Sequence, residues 1–206
     1  MLKKLIKYLI VITFVLFAAY NSVYFKKLDE VKASANQEFN AAQYARNYLD
    51  TKLRSTINTA PGIDTLMDLL KTNKAGTFKT YSHALDIGNI AYFMTKGQGV
   101  VTNTDESDVY ILTSGKNTIK LATEYVFGNA LRDAPGLIKV NDFSNTADLN
   151  SISSAVNKII RAEVLPPFTR KVKKGDAVAF AGAFELNSEH TNTGNIEIIP
   201  FYLAIK

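Results

Sequence analysis

The sequence predicts an α+β protein: an N-terminal transmembrane helix, a small helical unit, then an OB-like, partly closed β-barrel with one long helix. Three observations carry this. Residues 8–25 form an apolar run of 18 residues without a charge. From Phe39 to Ile57 the apolar residues recur at helical spacing, and a second short helix follows the Pro61-Gly62 break. After Gly88 the hydrophobic period shifts toward two, with one helical stretch before the last strands.

A chain of 206 residues suits one domain or a domain with a small satellite. At 47% hydrophobic and 21% charged it can bury a core. The chain holds no cysteine, which excludes a disulfide framework, a thiolate nucleophile and a Cys-ligated metal. Its net charge of +5 belongs to the N-terminal segment. Lys3, Lys4, Lys7, Lys26 and Lys27 supply the whole excess, and the rest is formally neutral. Nucleic-acid binding leaves a basic footprint on the domain itself, so no nucleic-acid partner is expected.

Residues 1–27 read as a membrane anchor, with a cleaved signal peptide as the alternative. A spanning helix needs roughly 20 mostly apolar residues. Ala18-Ala19 is the one candidate for a cleavage site, and Phe17 and Tyr20 crowd it. Tyr20, Tyr24 and Phe25 suit an interfacial aromatic belt. The expected topology is single-pass through residues 8–25, with the folded part on the extracytoplasmic side of the cell membrane.

Residues 28–76 read as a stalk and a helical unit. The stalk is 28–36. Tyr44, Ala45, Tyr48, Leu49, Leu53 and Ile57 mark a helix that Pro61-Gly62 breaks. A second, short helix runs from Asp64 through Leu70 and ends near residues 73–76. Residues 77–206 read as the OB-like domain. IAYFMTKG, GVVTNT, DVYILTSG, ATEYVFGN and GLIKVNDF are β-type runs between Gly, Asn, Asp and Ser. Asn150 or Ser151 can cap the long helix. Its buried stripe is Ile152, Ala155, Val156, Ile159 and Ile160, and Pro166-Pro167 stops it. In DAVAFAGAFEL one face carries Val178, Phe180, Phe184 and Leu186, the other a run of alanines that admits close approach. Pro200 in the last strand requires an edge or a bulge.

The candidate binding residues are Arg132, Asp133, Asn141 and Asp142. One reading lines a polar pocket with them: Arg offers a rigid donor fork, and Asn both donates and accepts. The other pairs Arg132 with Asp133 and uses Asn141, Asp142 and Asn145 to satisfy turn amides. His83 and His190 lack ligand spacing, so neither a metal nor a cofactor is expected. Lys96-Gly97-Gln98-Gly99 lacks the spacing of a phosphate loop and reads as a turn between strands. Residues 103–108 read as a solvated acidic turn, and Arg170–Lys174 as a basic loop before a strand. No Ser-His-acid arrangement is apparent, so no catalytic residue is named and no enzyme is expected.

In order along the chain, GNALRDAP (128–135), VNDFSN (140–145), GDAVAFAGAF (175–184) and Ile199-Pro200 are similar to the predicted periplasmic lipoprotein family known as domain of unknown function 2291. The resemblance covers about residues 38–206. It implies an exported, membrane-tethered protein built from a small helical part and a barrel-like part. It also implies the company of ATP-driven sugar importers, hence an accessory or scaffold role beside such an ABC system. A module that binds a sugar or similar small molecule near Arg132 and Asn141 is the alternative, and an enzyme of unrecognised type a further one. The family's usual lipid-modified Cys is missing here, which leaves the apolar segment as the expected tether.

Overall fold

The computed structural model describes residues 2–22, 39–143 and 145–206. They divide between two units, Met1–Phe39 and Asn40–Lys206.

In the first unit, helix α1 spans Leu2–Ser22. Lys3, Lys4 and Lys7 occupy its first two turns. The charge-free part, from Tyr8 to Ser22, is about 15 residues or roughly 22 Å at 1.5 Å per residue. A hydrocarbon core is about 30 Å thick. Among the described residues no helix is long and apolar enough to cross a membrane. The expected spanning helix over 8–25 is therefore not supported; Val23, Tyr24, Phe25 and the stalk at 28–36 lie outside the described residues.

The second unit opens with α2 (Ala41–Asn47). Asn40 caps it by accepting from the Gln43 amide at 2.9 Å. The helix passes into a π-helical turn, Tyr48–Leu53, and buries Ala45, Tyr48, Leu49 and Leu53 as the spacing predicts. Helix α3 (Ile63–Thr72) follows Pro61-Gly62 and buries Ile63, Leu66, Met67 and Leu70. Asn73 ends α3 and caps a further helix, α4 (Lys74–Tyr81), through the Gly76 amide. The sequence pattern did not predict α4. Its one fully buried residue is Thr77, and only Phe78 and Tyr81 lie half-buried against the core, too short an apolar stripe to read from spacing.

The strands are β1 (Ser82–His83), β2 (Ile90–Thr104), β3 (Asp108–Thr113), β4 (Thr118–Ala122), β5 (Ala177–Asn187) and β6 (Glu197–Ile205). Their order is β1-β2-β3-β4-β6-β5, and β2 also pairs with β5, which closes five strands into a barrel. All pairings are antiparallel except β4 with β6. One long strand, β2, serves three partners: Tyr92 and Phe93 pair with β1, Ile90–Val100 with β5, and Gly99–Thr104 with β3. Lys96-Gly97-Gln98-Gly99 is thus not a turn but the middle of that strand. A Cβ at Gly97 would lie 2.5 Å from the Phe180 ring, and one at Gly99 2.3 Å from the Leu112 carbonyl oxygen. The glycines are there because neighbouring strands come too close for a side chain. Pro200 sits at the irregularity where β5 shifts register between Ala181 and Gly182, as its missing N–H requires.

Two predicted strands are absent. In ATEYVFGN only Ala122 is in a strand. Val126 is fully buried between exposed Tyr125 and Phe127, an alternation that imitates a strand in a turn. GLIKVNDF has no ladder partner; it buries Ile138 and ends in a 3₁₀ turn, Val140–Asp142. The long helix α6 (Thr146–Ile159) also begins earlier than predicted. Asn145, not Asn150 or Ser151, caps it by accepting from the Asp148 amide. Pro166-Pro167 does not end the helical path. A π-helical turn, Ile160–Val164, precedes α7 (Leu165–Thr169), where both prolines occupy the first turn and their missing N–H groups go unneeded.

The core combines barrel and helices. Phe93 stacks on Phe184 at 5.3 Å and meets the edge of Phe78 at 5.0 Å. Ile63, Leu66, Met67 and Leu70 of α3 belong to the same core as Phe93, Ile111 and Phe180. Asp64, also on α3, holds the 113–117 turn by accepting from Thr113 Oγ1, Gly115 N and Asn117 Nδ2. Burial raises the pKa of its carboxyl, but these hydrogen bonds outweigh it, with help from Lys71, and the net shift is downward. A carboxyl lowered in the folded state adds stability above its unfolded pKa and loses it as pH falls through the folded one. Asp64→Asn should therefore be less stable than wild type at pH 7, with the gap closing as pH drops below about 4. Urea unfolding across that range checks this; a pH-independent gap contradicts it.

Candidate functional site

The short helix α5 (Ala130–Asp133) carries the first two candidates. It packs against β5, β2 and β6; on β5, Ala181 and Ala183 are fully buried. Arg132 and Asp133 end up inside the protein, with side chains 2% and 0% exposed. Arg132 Nε lies 2.5 Å from Asp133 Oδ1 and its Nη2 3.0 Å from Oδ2, a two-pronged pair. Exposed Asp86 approaches the same guanidinium at 3.9 Å. Tyr48 Oη donates to the carbonyls of Leu131 and Arg132 at 3.1 and 3.2 Å. Burial raises the Tyr48 pKa strongly, so the phenol stays a neutral donor. His83 Nδ1 meets the Ala134 carbonyl at 2.9 Å. The helix is pinned from several sides, and its charged groups face each other.

Asn141 and Asp142 lie elsewhere, exposed on the 3₁₀ turn. The adjoining Phe143 ring meets Tyr44 edge-on at 5.6 Å, and Tyr44 stacks on Tyr48 at 6.4 Å. Burial raises the Tyr44 pKa, and the Asp142 charge adds to it. Both candidate pairs therefore flank the Tyr44–Tyr48 stack. Among the described residues no hydrogen bond joins Arg132 or Asp133 to Asn141 or Asp142.

A different polar cleft, of about 250 Å³, opens between the 127–129 turn and one side of α6. Gly128 takes φ +82°, a backbone shape glycine tolerates, and so turns the chain into α5. Helix α6 holds this turn. Ser153 Oγ donates to Asn129 Oδ1 at 2.9 Å, and Asn157 Nδ2 to the Gly128 carbonyl at 2.9 Å. Arg161 Nη1 donates to the Val126 carbonyl. Asn150 and Ser154 complete the helical wall. Sequence reasoning missed this group. The legible signal is a second, polar stripe at 150, 153, 154 and 157 of α6, continued by Arg161 in the π-helical turn, beside the apolar stripe at 152, 156 and 160.

A third polar group lies on the barrel. Lys120 Nζ sits 3.8 Å from Asp108 Oδ2 and 5.5 Å from the Tyr110 ring centre. Asp105 accepts from the Ser107 and Asp108 amides, which makes the acidic stretch 103–108 a turn closed by its own side chain. Burial raises the carboxyl pKa of both Asp108 and Glu197. Among the described residues no three His, Asp or Glu side chains converge as a metal site would require.

The 40–206 unit thus combines helices over 41–81, a five-stranded closure with a parallel β4–β6 pairing, and α6 inserted between β4 and β5 along the chain. The family described as predicted periplasmic lipoprotein, DUF2291, matches residues 13–204, most of the chain. The chain belongs to the DUF2291 family. Membership indicates an extracytoplasmic protein of lipoprotein type, and this DUF2291 chain has no cysteine to carry a lipid. Among solved structures it is similar to an OB-fold protein from Thermotoga maritima, with a TM-score of 0.72 and 24% identity. That similarity covers 82% of this chain and 99% of the other, and it establishes the OB fold alone. No curated protein matches the chain.

Proposed function

We propose that this DUF2291 protein is an extracytoplasmic accessory module, held at the membrane by its N-terminal segment, that binds or scaffolds and does not catalyse. One observation carries the reading. The groups best suited to chemistry, Arg132 and Asp133, are sealed in the interior and bonded to each other, where no reacting atom reaches them. Family membership supports the location. On α1 the side chains of Leu9, Ile12, Phe14 and Phe17 are all more than half exposed, which suits association with a lipid surface. The acidic groups beside Lys120 on the barrel suit a partner other than nucleic acid, whose phosphates demand net positive charge. The partner class is a component of an ATP-driven sugar importer, as the family resemblance implies. A ligand pocket built on Arg132 and Asn141 is disfavoured, because the guanidinium fork is occupied by Asp133. Mild crosslinking of the full chain in native membranes, followed by purification, should recover an importer subunit. Recovery of no transporter component overturns the partnership.

A further inference from the structure

We infer that the cleft between the 127–129 turn and α6 is a binding site for a small, neutral, hydroxyl-rich molecule of about the size of one sugar ring. It does not depend on the accessory role proposed above, since the cleft lies wholly within the 40–206 unit.

The cleft's wall is a built one. Asn157 is 4% exposed and Ser153 7%, yet both line the cleft. Buried polar side chains normally have partners for all their strong groups. Asn157 uses its amide nitrogen on Gly128; no buried side-chain N or O among the described residues lacks a partner, so its Oδ1, which takes no donor among them, is open to solvent. Asn129 uses Oδ1 on Ser153, and its amide nitrogen is likewise without a partner among them. Asn150 and Ser154 add further donor and acceptor capacity at the mouth. An acceptor on one wall and donors on the other match hydroxyl groups, each of which both donates and accepts.

Charge narrows the class. The lining has no carboxylate, so nothing there attracts a cation. Its one cation, Arg161, spends one N–H on the Val126 carbonyl and keeps its charge and further donors, so the charged probes below decide between a neutral ligand and an anion. Size narrows it again. At about 250 Å³ the cleft lies just below the roughly 300–1,000 Å³ of sites for drug-sized ligands. Phe127, 65% exposed, lines the cleft and offers an apolar ring face that suits the C–H side of a sugar ring, while the amides take its hydroxyls.

The test is calorimetric titration of the full chain in detergent with D-glucose, D-xylose and myo-inositol, and with D-glucuronate and inorganic phosphate as the charged arm. At least one neutral probe should bind in the millimolar range or tighter. Ser154→Trp, at an exposed position that fills the mouth, should weaken it at least tenfold without lowering the melting temperature. Asn157→Leu should also abolish binding, and Phe127→Ala should weaken it severalfold. If Asn157→Leu fails to fold, Ser154→Trp and Phe127→Ala decide the matter. No binding of any neutral probe at 20 mM overturns the inference. So does binding that Ser154→Trp leaves intact, or binding confined to the charged probes. Because crosslinking is not involved, failure here is distinguishable from failure of the accessory role.

Discussion

Arg132→Leu will destabilise the 40–206 unit by about 3–5 kcal/mol, because it leaves the Asp133 carboxylate buried without a counter-charge. The Asp133 side chain is 0% exposed, and Arg132 supplies both of its hydrogen bonds among the described residues. Exposed Asp86 cannot substitute, since it carries the same sign. Replacing both partners removes the stranded charge, so Arg132→Leu/Asp133→Leu should recover most of the loss. Urea unfolding followed by circular dichroism reads both values. A single-variant cost below about 1 kcal/mol would falsify the structural role and return Arg132 to the list of ligand-facing groups. The measurement therefore also bears on function: Arg132 sits on α5, which follows the 127–129 turn that lines the cleft.

Phe93→Ala should cost about 3–5 kcal/mol. Phe93 is fully buried at the meeting point of barrel and helices, stacked on Phe184 and met edge-on by Phe78 of α4. Truncation removes the transfer energy of the ring, leaves a cavity that strands paired on both sides cannot easily close, and forfeits the ring–ring contacts. Ile87→Ala is the control; Ile87 is fully exposed, and the change should stay within about 0.5 kcal/mol of wild type. If the helices of residues 63–81 folded apart from the barrel, two unfolding transitions would appear and Phe93→Ala would shift only one. The shared core predicts one transition that moves as a whole.

Several elements were legible because their apolar period reports local geometry. The stripe from Ala45 to Leu53 and the strand faces of β5 behave as the pattern predicts. The failures have local causes too. Val126 buried between two exposed aromatic residues has a strand's rhythm but no ladder partner. Lys96–Gly99 looks like a turn because glycines usually mark turns; here they mark crowding by Phe180 and Leu112. The prolines at 166–167 look like a stop but begin a new turn of helix. At the candidate site, the adjacent Arg132 and Asp133 were visible as a polar pair. Whether they opened to solvent or turned inward was not, since that depends on the strands over which α5 lies.

The amino-acid order by itself determined the type of most elements, the neutral balance of the folded part and the absence of thiol chemistry, because each follows from composition or near-neighbour spacing. Tertiary structure alone decided the closure of β2 on β5, the parallel pairing of β4 with β6, the burial of Arg132 against Asp133 and the assembly of the cleft from a turn and a helix side. The physical reason is range. Periodicity states which face of a segment avoids water, but the distant segment that covers it is chosen by packing, and packing is settled only when the whole chain has closed.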